Sequence, residues 1–302
     1  MKNILRVKKF RENITAYLFL LPGLLVLLVW MVYPMLSALN ISLRDWNIMP
    51  NQPSPFIGLK NYLTAFNDPI FWLSMKNTSL FALITVTGQL LLGLGVALML
   101  EQIQRGKVFF RTLYYLPVIT SWVVVSLLFR YLFNSSPAGL INYLLVNVFH
   151  LLPAPVAWLT NASTAFVAID SLGVWKGIGF AMLIFLAALQ SIPQELYQAA
   201  EIDGASHWQL LTRLTLPLLL PTIGLVTIML TIGAFQAYIP VALITQGGPL
   251  HRTEFILSYM YTQAFGNINF GYSSALAYIL AVIIFAISQF QLRFVKGSDL
   301  QG

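Results

Sequence analysis

The chain has 302 residues, 58% of them hydrophobic and only 9% charged, against roughly 25% charged in a soluble domain, which excludes a water-facing globular surface. It has no cysteine, which excludes disulfides and thiolate metal sites, and its histidines, His150, His207 and His251, lack ligand-like spacing, so no metal site is expected. The net charge of +7 fits surplus Lys and Arg on cytoplasmic segments of a membrane chain; membrane lipid is the expected partner and nucleic acid is not.

A membrane helix needs about 20 mostly apolar residues. Residues 1–14 read as a cytoplasmic tail, and the first span covers 15–38, too long and without the cleavage site of a signal peptide. A polar connector with interspersed aromatics fills 44–76. The second span is 78–100, where Gly88, Gly93, Gly95 and Ala97 permit close approach of a neighbour and Gln89 suits an interhelical hydrogen bond. A basic loop with Arg105, Lys107 and Arg111 leads to the third span, 112–133, with Arg130 as an interfacial anchor. Residues 134–164 form a loop with a short interfacial helix over 139–150.

The fourth span is 167–190. Asp170 and Lys176 near its outer end are six residues apart and so do not share a face. Lys176 is expected to snorkel to the interface, with a grip on substrate as the alternative. The fifth span is 217–240, a connector with QGGP occupies 245–270, and the sixth span is 273–292. The expected fold is therefore all-α: a polytopic membrane protein with six transmembrane helices, residues 15–302 forming one transmembrane domain.

Six spans put both termini on one side. That side holds eleven basic residues: Lys2, Arg6, Lys8, Lys9, Arg11, Arg105, Lys107, Arg111, Arg213, Arg293 and Lys296. The other holds at most six: Arg44, Lys60, Lys76, Arg130, Lys176 and Arg252. The positive-inside rule makes the termini and the 191–217 loop cytoplasmic.

That loop is the most polar part of the interior sequence. Ser191-Ile192-Pro193-Gln194 has the pattern of a capping box, and Glu195 suits a helix N-terminus. A helix over 192–203 would end at Gly204 in a positive-φ turn, with a second short helix over 205–213. The first helix is acidic, with Ala199 and Ala200 forming a small face. Anionic lipid would repel it, so insertion into a protein groove fits it better than rest on headgroups.

Gln198-Ala199-Ala200, three residues, Gly204, nine residues, Leu214-Thr215-Leu216-Pro217 resembles the EAA loop of ABC importer permeases. That signature reads Glu-Ala-Ala, three residues, Gly, nine residues, Ile-x-Leu-Pro; Gln198 and Leu214 depart from it, and the first departure removes a charge. The stretches LPGLLVLLVWMVYPMLSALNISLRDWN, GLKNYL, FFRTLYYLPVITSWVVVSLLFRYLFN and ITQGGP are similar to the carbohydrate and glycerol-phosphate uptake branch, and within it to maltose-F-like subunits. The resemblance implies the type I importer permease fold in the cytoplasmic (inner) membrane.

It further implies a coupling helix carrying Glu195, Gln198, Ala199, Ala200, Asp203 and Gly204, docked on a separate ATPase and driving alternating access. The implied partners are a homologous second permease, two ATP-binding subunits with their ATP and Mg, and an extracytoplasmic solute-binding protein. The chain lacks a phosphate-cradling G-x-x-x-x-G-K-[ST] motif, so no catalytic residue and no cofactor is expected on it. Resemblance also places sugar contacts around Phe235, Gln236 and Tyr238, and around Tyr272, Ser273, Ser274 and Tyr278, with helix–helix packing as the other reading of these residues. The alternatives carried are a glycerol-3-phosphate importer, which would favour a cationic cavity, a secondary transporter, and an intramembrane enzyme, for which no span offers two carboxylates or a mid-span His.

Overall fold

The computed structural model describes residues 17–49, 52–103, 105–137 and 139–299; the expected tail over 1–14 lies outside these. The described residues form helices and loops, with a single β-bridge between Arg44 and Phe56. In chain order the helices are α1 (Tyr17–Ser42), α2 (Lys60–Phe66), α3 (Pro69–Gln102), α4 (Lys107–Ile119), α5 (Trp122–Leu132), α6 (Leu140–Tyr143, continued by a wider turn over Leu144–Val148) and α7 (Ala162–Gln190). Then come α8 (Gln194–Ile202), α9 (His207–Gln209, continued over Leu210–Thr215), α10 (Leu216–Phe235), α11 (Ile239–Ile244), α12 (Ile256–Tyr261) and α13 (Phe270–Asp299). Among the described residues five stretches are long and apolar enough to cross a membrane, six if the bent pair α4–α5 is one span.

The chain divides into two compact units. One holds the residues up to Asn67 together with Thr262–Ile279; the other holds Asp68–Tyr261 and the residues from Leu280 onward. In the first, no residue of the most apolar window of α1 is buried, as expected of a helix whose solvent is lipid. The end of α1 is tied to α2 by Asn61, whose amide donates to the carbonyls of Ser42 (2.9 Å) and Arg44 (3.0 Å). Gly271 at the start of α13 fits against the same corner: a Cβ there would lie 2.4 Å from the Arg44 carbonyl oxygen.

The second unit is organised by the packing of α3 on α7. Small residues set the spacing, as lipid-embedded helices require. A Cβ on Gly93 would fall 2.6 Å from the Ala181 Cβ, and one on Gly88 2.8 Å from Val174. Gly95 has nothing within 4 Å, so this member of the expected small face does not serve the contact. Ala97, Ala181, Met182, Phe185, Leu219 and Val226 close the core between α3, α7 and α10. Gln89 donates across the pair to the Gly173 carbonyl (2.9 Å), the interhelical bond expected of it.

Three elements depart from the sequence reading. The connector expected over 44–76 is helical from Pro69, because Asp68 caps α3 by accepting from the Ile70 N–H (2.8 Å) and Pro69 occupies the first turn. At 34 residues α3 is about 51 Å long, more than the roughly 30 Å hydrocarbon core. The span expected over 112–133 is two helices meeting at 93°. Pro117 lies in the last turn of α4, Thr120 is extended, and the Ser121 hydroxyl restarts the chain as N-cap of α5 by accepting from Val123 N–H (3.3 Å). The capping box expected at Ser191–Gln194 does not form. Ser191 terminates α7, its hydroxyl donating to the Ala188 carbonyl (2.7 Å), and the N-cap of α8 is Pro193.

Candidate functional site

Two places in the second unit bring together the chemistry the sequence singles out. The first is the α8–α9 hairpin. Gly204 has φ +81°, and the turn around it is doubly bonded. The Ala205 N–H reaches the Ala200 carbonyl (2.9 Å) and the Gly204 N–H the Glu201 carbonyl (3.0 Å), which is the Schellman arrangement. On the far side a capping box does form, at Ser206 and Gln209: the Ser206 N–H donates to Gln209 Oε1 (2.8 Å) and the Gln209 N–H to Ser206 Oγ (3.4 Å). Tyr197 and Thr215 join the hairpin's two arms through their hydroxyls, 3.0 Å apart.

This rigid turn stands clear of the rest of the chain. Glu195, Gln198, Ala199, Asp203 and Gly204 are exposed and Ala200 is half-buried. Ile202 is 86% and Trp208 71% exposed, apolar knobs with no intramolecular cover. Sequence reasoning missed the attachment beneath. Glu101 at the end of α3 accepts from Lys107 Nζ (2.8 Å) and Gln190 Nε2 (3.2 Å), and with Gln194, Gln198 and Glu201 it lines a polar cleft against α8. No local pattern marks Glu101, because its partners lie in two other segments.

The second place is a cavity of about 470 Å³ between α3, α5, α7 and α10, within the size range of small-molecule sites. Gln236, Tyr238 and Lys176 all line it, with Gln89, Trp122 and Phe180. It sits where two apolar segments break: α4 gives way to α5 at 120–121, and α10 to α11 at 236–238. Irregular backbone inside a membrane segment is tolerated where it is buried in protein or lines a cavity. The other expected contacts are not brought here. Phe235 is buried in the wall without lining the space. Tyr272, Ser273, Ser274 and Tyr278 belong to the first unit, where Tyr272 is buried and the Tyr278 hydroxyl donates to the Met35 carbonyl.

Lys176 does not snorkel. It is 4% exposed, and its ammonium donates to the carbonyls of Pro117 (2.7 Å), Val118 (3.3 Å) and Thr120 (2.6 Å). Its Nζ also lies 4.8 Å from the centre of the Trp122 ring. Arg130, expected as an interfacial anchor, donates instead to the Leu243 carbonyl (3.3 Å), joining α5 to α11.

Comparison with known proteins places these features in context. The chain is 34% identical over 288 residues to the probable ABC transporter permease protein YurN of Bacillus subtilis, covering 95% of this chain and 97% of that one. It is 34% identical over 292 residues to the trehalose/maltose transport system permease protein MalF of Thermococcus litoralis, covering 96% and 97%. A subunit of a bacterial ABC transporter involved in the import of the acidic polysaccharide alginate superposes with a TM-score of 0.82 at 25% identity, over 96% of this chain and 97% of that one. The pattern of the family matches residues 89–297, which include most of the cavity lining and the exposed hairpin: the chain belongs to the binding-protein-dependent transport system inner membrane components, as a multi-pass ABC transporter permease.

Proposed function

We propose that this chain is one of two homologous permease subunits of an ATP-driven importer that carries a saccharide across the cytoplasmic membrane by alternating access. The observation that carries the reading is the α8–α9 hairpin: short, capped at both ends of its turn, acidic and exposed, with Ile202 and Trp208 uncovered. A rigid protrusion of this kind suits a protein groove. Glu195, Gln198, Ala199, Ala200, Asp203 and Gly204 are the residues through which an ATP-binding subunit would grip it. ATP and Mg then belong to two such subunits, and this chain performs no hydrolysis and binds no cofactor. An extracytoplasmic solute-binding protein would deliver the substrate; a bacterial alginate ABC transporter has been crystallised in complex with an alginate pentasaccharide-bound periplasmic protein. Both termini are cytoplasmic on this reading.

Gln236 and Tyr238 in the cavity offer the amide and hydroxyl groups a saccharide needs, and Trp122 and Phe180 the apolar faces. Tyr272, Ser273, Ser274, Tyr278 and Phe235 remain candidates for the path in other conformations. A neutral sugar fits better than a phosphorylated solute. Among the residues lining the cavity the cation is Lys176, and its three donors are already taken by backbone carbonyls.

The test uses the absence of cysteine. An Ile202→Cys chain carries a single thiol on the hairpin, which is expected to cross-link to the ATP-binding subunit in the assembled transporter. Cross-linking confined to other partners, or labelling of that thiol from the external side, refutes the assignment. Ala200→Arg is expected to insert normally and abolish uptake.

A further inference from the structure

The break between α4 and α5 leaves polar backbone inside an apolar segment. Thr120 answers part of it, its hydroxyl donating to the Leu116 carbonyl (2.9 Å) and its N–H to that of Pro117 (3.3 Å), and one side chain from another helix answers the rest. A helix ends with four carbonyls that have no intrahelical partner, and hydrocarbon supplies no donor for them. Here the carbonyls of Pro117, Val118 and Thr120 converge on Lys176 Nζ at 2.7, 3.3 and 2.6 Å. An ammonium has three donors and no acceptor, so the match is one to one. A cation at this end of a helix also meets the negative pole of its dipole. The same nitrogen lies 4.8 Å from the ring centre of Trp122, the first residue of α5, inside the roughly 6 Å range of a cation–π contact. Lys176 thus holds the last carbonyls of one half-helix and the first side chain of the other.

We propose that Lys176 is a positioning residue for transport: a tethered cation that fixes the α4–α5 bend and keeps Trp122 on the cavity wall. Ion-coupled transporters place a soluble cation among unwound carbonyls and half-helix C-termini; in this chain a covalently attached ammonium occupies that position, and no coupling ion is needed to hold the bend. Lys176 therefore acts through the helix and does not bind substrate, because its donors are spent. The inference rests on the cavity being part of the substrate path.

The experiment uses the complete transporter reconstituted into liposomes, with spin labels on cysteines placed at the exposed positions Val108 and Tyr131 to report the distance across the bend. Lys176→Met keeps the stem and removes the donors. It is expected to lengthen and broaden that distance and to lower uptake by about tenfold or more, as misplacement of a positioned group does. Lys176→Arg, which still presents donors to carbonyls, is expected to keep the distance and recover most of the uptake. Wild-type distance and uptake in the Met chain overturn the proposal. Should the Met chain not assemble, the Arg chain decides, and its failure to assemble with the wild-type distance overturns the proposal. Gln236→Ala separates the two readings: if it alters uptake while Lys176→Met is silent, only the pin falls, and if both are silent the cavity is not the path.

Discussion

Gly204 allows a graded test of the hairpin, because its environment isolates one variable. The residue has φ +81°, and a Cβ built on it would meet nothing within 4 Å. Substitution therefore costs conformational energy and creates no clash. An L-residue in the left-handed region pays about 1–2 kcal/mol, with Asn penalised less because its side chain bonds locally. A loss of that size divides the ratio of correctly turned to misturned hairpins by roughly 5–30. Proline is of another order. Its φ is locked near −65°, and it removes the N–H that now reaches the Glu201 carbonyl at 3.0 Å; the expected cost is about 3 kcal/mol or more. Uptake into proteoliposomes, and ATP hydrolysis stimulated by substrate-loaded binding protein, should both fall in the order Gly, Asn, Ala, Val, Pro, with membrane insertion unchanged. Normal uptake with Gly204→Pro, or Asn no better than Val, would show that this turn does not carry the coupling.

Two further outcomes can be checked directly. Gly93→Ala should lower the thermal unfolding midpoint in detergent, because its Cβ would lie 2.6 Å from the Ala181 Cβ and 3.1 Å from the Met182 nitrogen, an overpacking worth about 1–3 kcal/mol; Gly95→Ala, with open space around it, should be neutral or stabilising, and equal shifts would contradict the α3–α7 packing. Gln236→Ala should raise the half-saturating substrate concentration or change the preference among competing saccharides while the complex still assembles, and an unchanged profile would remove Gln236 from the path.

The hairpin was legible because its signals are local. Gly204 and the spacing to Leu216-Pro217 state a turn and a re-entry into the apolar phase. Of the two capping-box patterns in this loop only the second forms. Ser191-x-x-Gln194 and Ser206-x-x-Gln209 share a pattern, but Ser191 is still bound to the end of α7 by its bond to Ala188. The bend at 120–121 was hidden by averaging: hydropathy across 112–133 stays high through the break, and only Pro117 with Thr120-Ser121 hints at it. The role of Lys176 could not be read at all. Its partners are backbone carbonyls 56–59 residues away, and a carbonyl has no signature in the sequence. Tyr272 and Tyr278 show the converse: aromatic and hydroxyl groups look the same in a sequence whether they line a path or, like Tyr278, spend their hydroxyl on a carbonyl of the first helix.

The attachments of α4 connect the two sites mechanically. At its C-terminal end α4 is held to α7 by Lys176. Midway, Gly179 of α7 lets the Tyr114 carbonyl come so close that a Cβ would stand 2.1 Å from it. At its N-terminal end Lys107 meets Glu101, which also accepts from Gln190 at the end of α7. The Lys107–Glu101 pair is partly exposed and contributes little energy by itself; the buried ammonium is the stronger tie. α4 thus meets α7 directly at Lys176 and Gly179 and indirectly through Glu101, and α7 runs from Lys176 to Gln190 over about 21 Å to the root of the α8 hairpin. On the proposed function, a pull on that hairpin reaches the cavity through this pair and passes on to α5, which Lys176 meets at Trp122 and Trp175 meets at Phe129, and from α5 through Arg130 to α11. The break in the third apolar segment then travels with the driven pair, and a buried cation holds its shape because hydrocarbon supplies no donor to the carbonyls it leaves.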